Sequence, residues 1–307
     1  MRALETRVAI AAVIVAVVCM AIKLVAWFVT DSDAILSDAL EALVNVAASL
    51  MALGAIRIAH RPADATHPYG HGRIEFISAS IEGGMILFAA VAIVVQATGS
   101  LISGAHELSN PGTGLWLVVA TGAINGVMAV ILLSIGSRTG SAALKGDGMH
   151  LLSDLITTVA VVASLMAVTS TGWWWIDPAS AIVIALVLGG MGVRLVWRSF
   201  DNLMDRRDDR DQQALERLLA SHVGPQGQSP RICSFHKVRS RHDGREHWID
   251  MHVRLPAWMS LRESHDAASI LEGAAVRTLG GPGDATAHCE PCADPACPLC
   301  AALRPSA

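Results

Sequence analysis

The sequence predicts an α-helical membrane protein with six transmembrane helices, followed by a small α+β domain. Three observations carry this. The 307 residues are 52% hydrophobic and only 16% charged, with a positive mean hydropathy, which is the composition of a chain largely dissolved in lipid. Six apolar runs reach spanning length. After Ser199 the composition turns abruptly to charged and polar residues.

The runs are Val8–Thr30, Ala34–Ile58, Phe76–Ile102, Leu115–Ile135, Ser141–Val168 and Trp174–Val196. Arg2 and Arg7 lead directly into the first, with no small-residue cleavage site at its end, so it is expected to be retained. The connections after the first, third and fifth runs, with the residues that open the next run, hold Asp31, Asp33, His106, Glu107 and Asp177 but no Lys or Arg. Arg2, Arg7, Arg57, Arg61, Arg73, Arg138, Lys145, Arg194 and Arg198 lie on the other side. The positive-inside rule therefore predicts a multi-pass protein, of the cell (inner) membrane, with both termini cytoplasmic. Trp116, Trp173, Trp174 and Trp175 fall where an outer aromatic belt is expected.

Four parts are expected: a membrane domain (1–199), a charged linker (200–210), a cytoplasmic domain (211–290) and a cysteine-rich tail (291–307). The cytoplasmic part reads as helix Gln212–Ser221, strand Arg231–Ser240, strand His247–Leu255, helix Leu261–Leu279 and strand Ala285–His288. Alternation in Trp248-Ile249-Asp250-Met251-His252-Val253 marks the second strand. This αββαβ order suggests helices on one face of a sheet.

Every apolar run contains something polar, and two are patterned. His150 and Asp154 lie four apart, and Asp38, Glu41 and Asn45 lie three and four apart. Each set occupies one helical face. A charged side chain at mid-membrane costs roughly 2.5–3.5 kcal/mol on insertion scales, so these faces should turn inward. Interhelical hydrogen bonding is the competing reading. Glu41, Asn45, His150 and Asp154 together offer two carboxylates, an imidazole and an amide oxygen, a mixed N/O set suited to Zn²⁺ and open to Co²⁺, Fe²⁺, Mn²⁺ or Cd²⁺.

Two further groups have ligand spacing. Asp64, His67 and His71 recur at three- and four-residue intervals in the first basic connection, around a Pro and two Gly. In the soluble part His236, His252, His265 and His288 fall on predicted strands or the helix. The tail runs His-Cys-x-x-Cys-x4-Cys-x-x-Cys through Cys289, Cys292, Cys297 and Cys300. Such spacing serves disulfides outside the cell and metal or redox chemistry inside it. The predicted topology favours reduced thiols and a Zn²⁺-type site. No His-Glu-x-x-His motif or nucleophile-base arrangement points to an enzyme, and a net charge of −4 argues against nucleic acid.

Six spans with both ends inside, Leu36-Ser37-Asp38-Ala39-Leu40-Glu41-Ala42-Leu43-Val44-Asn45, the loop His67-Pro68-Tyr69-Gly70-His71-Gly72-Arg73-Ile74-Glu75 and His150-x-x-x-Asp154 together resemble a cation diffusion facilitator. The resemblance spans nearly the whole chain. It implies a homodimeric divalent-metal/proton antiporter, exporting Zn²⁺ or a neighbouring transition metal, with a ferredoxin-like cytoplasmic domain. Its transport site would be Glu41, Asn45, His150 and Asp154, and its loop site Asp64, His67 and His71. The cytoplasmic dimer site would draw on His236, His252 and His288, with His265 and Glu290 nearby. Arg73 and Asp205 match a basic and an acidic position between the membrane and soluble parts. The sequence departs from the family where Asn45 stands in place of a common Asp, and in its cysteine tail. A membrane-anchored metal sensor that does not transport is the rival class, and it would not require an intramembrane site.

Overall fold

A computed structural model describes residues 2–30, 33–103, 113–244 and 246–303, apart from a few side chains within helices. It divides into two compact units, Met1–Asp201 and Asn202–Ala307.

The first unit is built from α1 (Arg2–Thr30), α2 (Asp33–Ala59), α3 (Ile74–Ser103), α4 (Thr113–Thr139), α5 (Ala142–Thr171) and α6 (Ile176–Leu203). All six are long and apolar enough to cross a membrane. Alanines make much of their contact, with a few aliphatic side chains between them: Ala9 and Ala12 of α1, Ala52 and Ile56 of α2, Ala129 and Leu132 of α4, and Ala143 and Leu144 of α5 form one buried cluster. Larger side chains such as Phe28, Phe88, Val95 and Leu186 point outward. In lipid this division is expected, because close backbone approach rather than hydrophobic exclusion drives helix association. A β-carbon on Gly192 would lie 2.8 Å from the Gly83 carbonyl oxygen, so α3 and α6 can approach this closely only with glycine there. The start of α5 is fixed twice over. The Ser141 hydroxyl accepts from the Leu144 amide, and the buried Glu75 carboxylate accepts from the Ser141 hydroxyl (2.5 Å) and the Ala143 amide (3.3 Å).

The second unit contains α7 (Asp209–Ala220), β1 (Ser234–His242), β2 (His247–Leu255), α8 (Leu261–Leu279), β3 (Gly283–Pro291) and α9 (Pro298–Ala302). The sheet order is β1-β2-β3, with β1 antiparallel and β3 parallel to β2. Helix α8 supplies the crossover that a parallel pair requires. It opens on a capping box between Ser260 and Glu263 and closes on Gly280 in the left-handed region. Ile249, Met251, Val253 and Leu255 of β2 meet Leu215 and Leu219 of α7 and Leu271 of α8 in one core. The intervening residues of β2 therefore face away from the helices.

Several boundaries differ from expectation. The last turn of α6 runs to Leu203, into the segment predicted as linker. Strand β3 extends three residues past His288, because its pairing with β2 continues through Leu255↔Pro291. The tail forms a five-residue helix, α9, that lies outside the expected elements.

Candidate metal sites

Helices α2 and α5 bring Asn45 and His150 together, both buried at 6% and 7% exposure. The Asn45 amide bridges two residues of α5: its Oδ1 accepts from His150 Nε2–H (2.9 Å), and its Nδ2 donates to Asp154 Oδ2 (2.7 Å). His150 Nδ1 is buried without a hydrogen-bond partner. Glu41 lies one turn before Asn45 on α2, and its side chain, like that of Asp38, lies outside the described residues. Thr157 and Thr158 donate to the Asp154 carbonyl at 2.9 and 2.8 Å. Thr157 also lines a cavity of about 260 Å³ with Gln96, Ser164 and Asp177.

A second polar layer, one turn further along the same faces, was not singled out from the sequence. Ser49 donates to Asp147 Oδ1 (3.0 Å). Asp147 Oδ2 and both carboxylate oxygens of Glu82 are buried with no hydrogen-bond partner. Gly146 lets α5 approach α3 at this level, since a β-carbon there would lie 3.0 Å from Ala79 Cα and 3.2 Å from Glu82 Oε2. The available signal was periodicity, for Ser49 follows Asn45 by four residues and Asp147 precedes His150 by three.

In the connection between α2 and α3, Asp64, His67 and His71 present ligand atoms within 4.8 Å of one another. Asp64 Oδ1 accepts from the Thr66 hydroxyl (2.7 Å), the Thr66 amide (2.8 Å) and the His67 amide (2.7 Å). The Thr66 hydroxyl and then the His67 amide hold the Asp64 carboxyl well below the usual carboxylate range. Asp64 Oδ2 lies 3.5 Å from His71 Nε2, and the two imidazole centroids are 4.3 Å apart. Gly70, at φ +83°, makes the turn that returns His71 to His67.

On the helix-free face of the sheet, His236, His252 and His288 stand in register across the three strands. Their neighbouring ring centroids are 5.1 and 4.7 Å apart. Glu290 Oε1 lies 2.9 Å from His252 Nδ1 and 3.4 Å from His236 Nε2. The His252 ring N–H, opposed by burial and supported by Arg254 and His236, lowers the Glu290 carboxyl to about 2. His236, His252 and Glu290 present ligand atoms within 4.8 Å of one another. His265 is not brought to it: its side chain is 76% exposed on α8 and lies 3.6 Å from Asp266. Asp205 lies 3.7 Å from Arg241 within the second unit.

Residues 9–204 match the cation efflux transmembrane domain, and residues 227–292 match the cation efflux protein cytoplasmic domain. The chain belongs to the cation diffusion facilitator, or cation efflux, family. An uncharacterized transporter of Synechocystis, sll1263, is 34% identical over 280 residues, covering 91% of this chain and 88% of its own. The cation-efflux pump FieF of Shewanella oneidensis is 32% identical over 83% of each chain. FieF of Escherichia fergusonii is 28% identical over 94% of this chain and 93% of its own. Cation efflux proteins are multi-pass membrane transporters, not enzymes.

Cys297 and Cys300 lie beyond the part matched to the cation efflux cytoplasmic domain. Here the structure reassigns the cysteines. Cys292, Cys297 and Cys300 are joined by Cys233, and their sulfurs lie within 4.8 Å of one another. Cys289 is excluded because it is in register with Val253 on the helix-facing side of the sheet, where it packs against the core and its thiol lies 3.7 Å from the Ser264 carbonyl. A strand ending at His288 would have left Cys289 free to turn; a strand continuing to Pro291 does not. Burial and hydrogen bonds to Cys297 raise the Cys233 thiol. Burial opposes the Cys297 thiolate, but the Cys300 amide and then Cys233 donate to it, and it falls to about 7.

Proposed function

We propose that this chain exports a divalent transition-metal ion, Zn²⁺ foremost, from the cytoplasm in exchange for protons, working as a homodimer. The bridge from His150 through Asn45 to Asp154 carries the reading. The hydrogen on His150 Nε2 lies on the line to Asn45 Oδ1, and both atoms are natural ligands for the cargo. Their 2.9 Å separation is close to the roughly 3.4 Å edge of a tetrahedron with Zn–N and Zn–O bonds of about 2.1 Å. Binding the cation at Nε2 would clear the proton from that nitrogen, and a return half-cycle in which the emptied site takes up an additional proton would complete the exchange. With Glu41 and Asp154 ionised, the loaded site would be neutral, a lower-cost state in lipid than an empty anionic one.

The cytoplasmic placement of both termini, the ferredoxin-like reading of the αββαβ unit and a homodimer joined through it belong to the same proposal. The open sheet face bearing His236, His252, His288 and Glu290 supports a regulatory metal site there. The loop site of Asp64, His67 and His71 would take the same ions. The relatives carrying the name cation-efflux pump support the direction of transport.

The deciding experiment is metal uptake into metal-free proteoliposomes, with internal metal and internal pH recorded together. Saturable Zn²⁺ entry accompanied by counter-movement of protons is the expected result. Binding without entry would turn the protein into a sensor, and preference for Fe²⁺, Co²⁺, Mn²⁺ or Cd²⁺ would change the cargo while keeping the mechanism.

A further inference from the structure

We infer that Cys233, Cys292, Cys297 and Cys300 form a resident tetrathiolate site for one soft divalent cation, Zn²⁺ foremost, that fastens the tail across the end of the cytoplasmic sheet. The geometry fits a single ion. With Zn–S bonds of about 2.3 Å the edge of a tetrahedron is about 3.8 Å. The sulfurs already lie within 4.8 Å of one another, with Cys233 and Cys300 at 3.5 Å. That separation is far beyond the roughly 2.05 Å of a disulfide. Sulfurs gathered this tightly around one centre leave no room for an iron–sulfur cluster, and four thiolates without oxygen or imidazole select a thiophilic ion.

The backbone explains why these four residues meet. The Cys233 amide donates to the Arg254 carbonyl and the Cys292 amide to the Leu255 carbonyl, both at 2.8 Å. They therefore flank the end of β2 from opposite sides, one before β1 and one after β3. Cys297 and Cys300 embrace the first turn of α9 in a Cys-x-x-Cys arrangement, with the intervening Leu299 fully buried. Four of the five cysteines of the second unit converge on one point, while strand alternation turns the fifth, Cys289, to the other face. A cavity of about 400 Å³ beside them, bordered by Arg254 and Glu290, gives an ion access and places a cation near the dianionic cluster.

Binding is a substitution without redox change: each thiol gives up its proton as its sulfur bonds the metal. The site is distinct from the His236–His252–Glu290 group, but Glu290 lies two residues before Cys292 and His236 three after Cys233. A metal clamp there would fix the strand ends that carry both residues. The inference rests on the proposed cytoplasmic, reducing placement of this unit.

The test uses full-length protein in detergent with thiols kept reduced from lysis onward, and a separate aliquot alkylated at lysis to trap any disulfides. After dialysis that removes labile metal, about one Zn²⁺ per chain should remain, and Co²⁺ exchanged into its place should give sulfur-to-metal charge-transfer bands. Cys233→Ser should abolish this retained metal, and Cys289→Ser should leave it. In the unaltered protein, mass-mapped alkylation should find Cys233, Cys292, Cys297 and Cys300 protected together and released together by a strong chelator, independent of any variant's folding. Protection of Cys289 in place of Cys233, or reduced thiols with no retained metal, would overturn the site while leaving the transport proposal standing. Bound iron would overturn the choice of ion. Disulfides among the four in protein blocked at lysis would overturn both the site and the cytoplasmic placement.

Discussion

The α2–α5 site and the thiol site differ most in what their ligands do without metal. In the membrane, Asn45 pairs with His150 Nε2 and Asp154 Oδ2 at 2.9 and 2.7 Å, so these two ligand atoms already have good hydrogen bonds. In the second unit, the thiols have chiefly one another, and sulfur is a weak donor and a weak acceptor. An ion entering the first site must replace good hydrogen bonds, and one leaving it restores them. At the second, departure leaves four sulfurs with little to gain. The contrast teaches that lability can be set by the internal partners available to the ligands as well as by ligand type. The first arrangement suits a cargo that must leave and the second an ion that stays.

The largest expected effect breaks one side of this contrast and spares the other. Asp154→Ala removes a carboxylate that lipid cannot replace and leaves Asn45 Nδ2 without this partner, so transport should fall to background, by roughly 100-fold or more. The retained thiolate metal should be unchanged in the same preparation. Zn²⁺ flux in proteoliposomes and bound metal in detergent measure the two sides. Loss of both in a folded protein would mean that the sites are not separable.

The buried carboxylates of Asp147 and Glu82 sharpen the comparison from within the membrane unit. Three of their oxygens have no hydrogen-bond partner, a costly state that a cation or a proton would relieve. Glu82→Gln keeps the shape and removes the ionisable group. It should raise thermal stability by a few degrees while slowing Zn²⁺ flux several-fold, by roughly 5-fold. A variant equal to the parent in both would make Glu82 a packing residue.

Asn45→Asp should have a smaller and more selective effect. A second acidic group within reach of His150 would tighten Zn²⁺ or Cd²⁺ binding by about 10-fold and shift the pH dependence of transport, with slower release. Flux across a pH series, beside equilibrium binding, separates tighter binding from faster turnover.

How far these sites were legible depended on whether neighbours in space were neighbours in a repeat. His150 and Asp154 could be placed together because a helix returns every 3.6 residues. Asp64, His67 and His71 could be grouped because one short loop holds them. The histidine row needed two strand registers, and only the alternation in β2 hinted at its face. Cys233 was beyond such reasoning: it reaches the tail only because β1 and β3 flank the same end of β2. Cys289 was misplaced because Cys-x-x-Cys spacing is persuasive by itself, whereas its environment depended on where β3 ended. Glu82 is a single acid in an apolar run, though intramembrane charge is itself a signal.

The smallest expected effect concerns Glu290, which belongs to neither extreme of the comparison. Its carboxyl is lowered to about 2, with the His252 ring N–H as the largest cause. A carboxyl depressed in the folded state contributes stability that is complete above its ordinary value near 4.5 and disappears as pH falls through the folded value. The difference in stability between the parent and Glu290→Gln should therefore be constant from neutrality down to about pH 5, shrink below that, and vanish near pH 2. Because the group is solvent-accessible, the effect on local opening of β2 and β3 should be only about two- to threefold. Amide exchange of those strands in the full-length, metal-free protein measures it. A difference that grew on acidification would reverse the sign of the interaction. Glu290 would then be a carboxylate held apart for a metal, and the His252–Glu290 bond would contribute nothing to the fold without one.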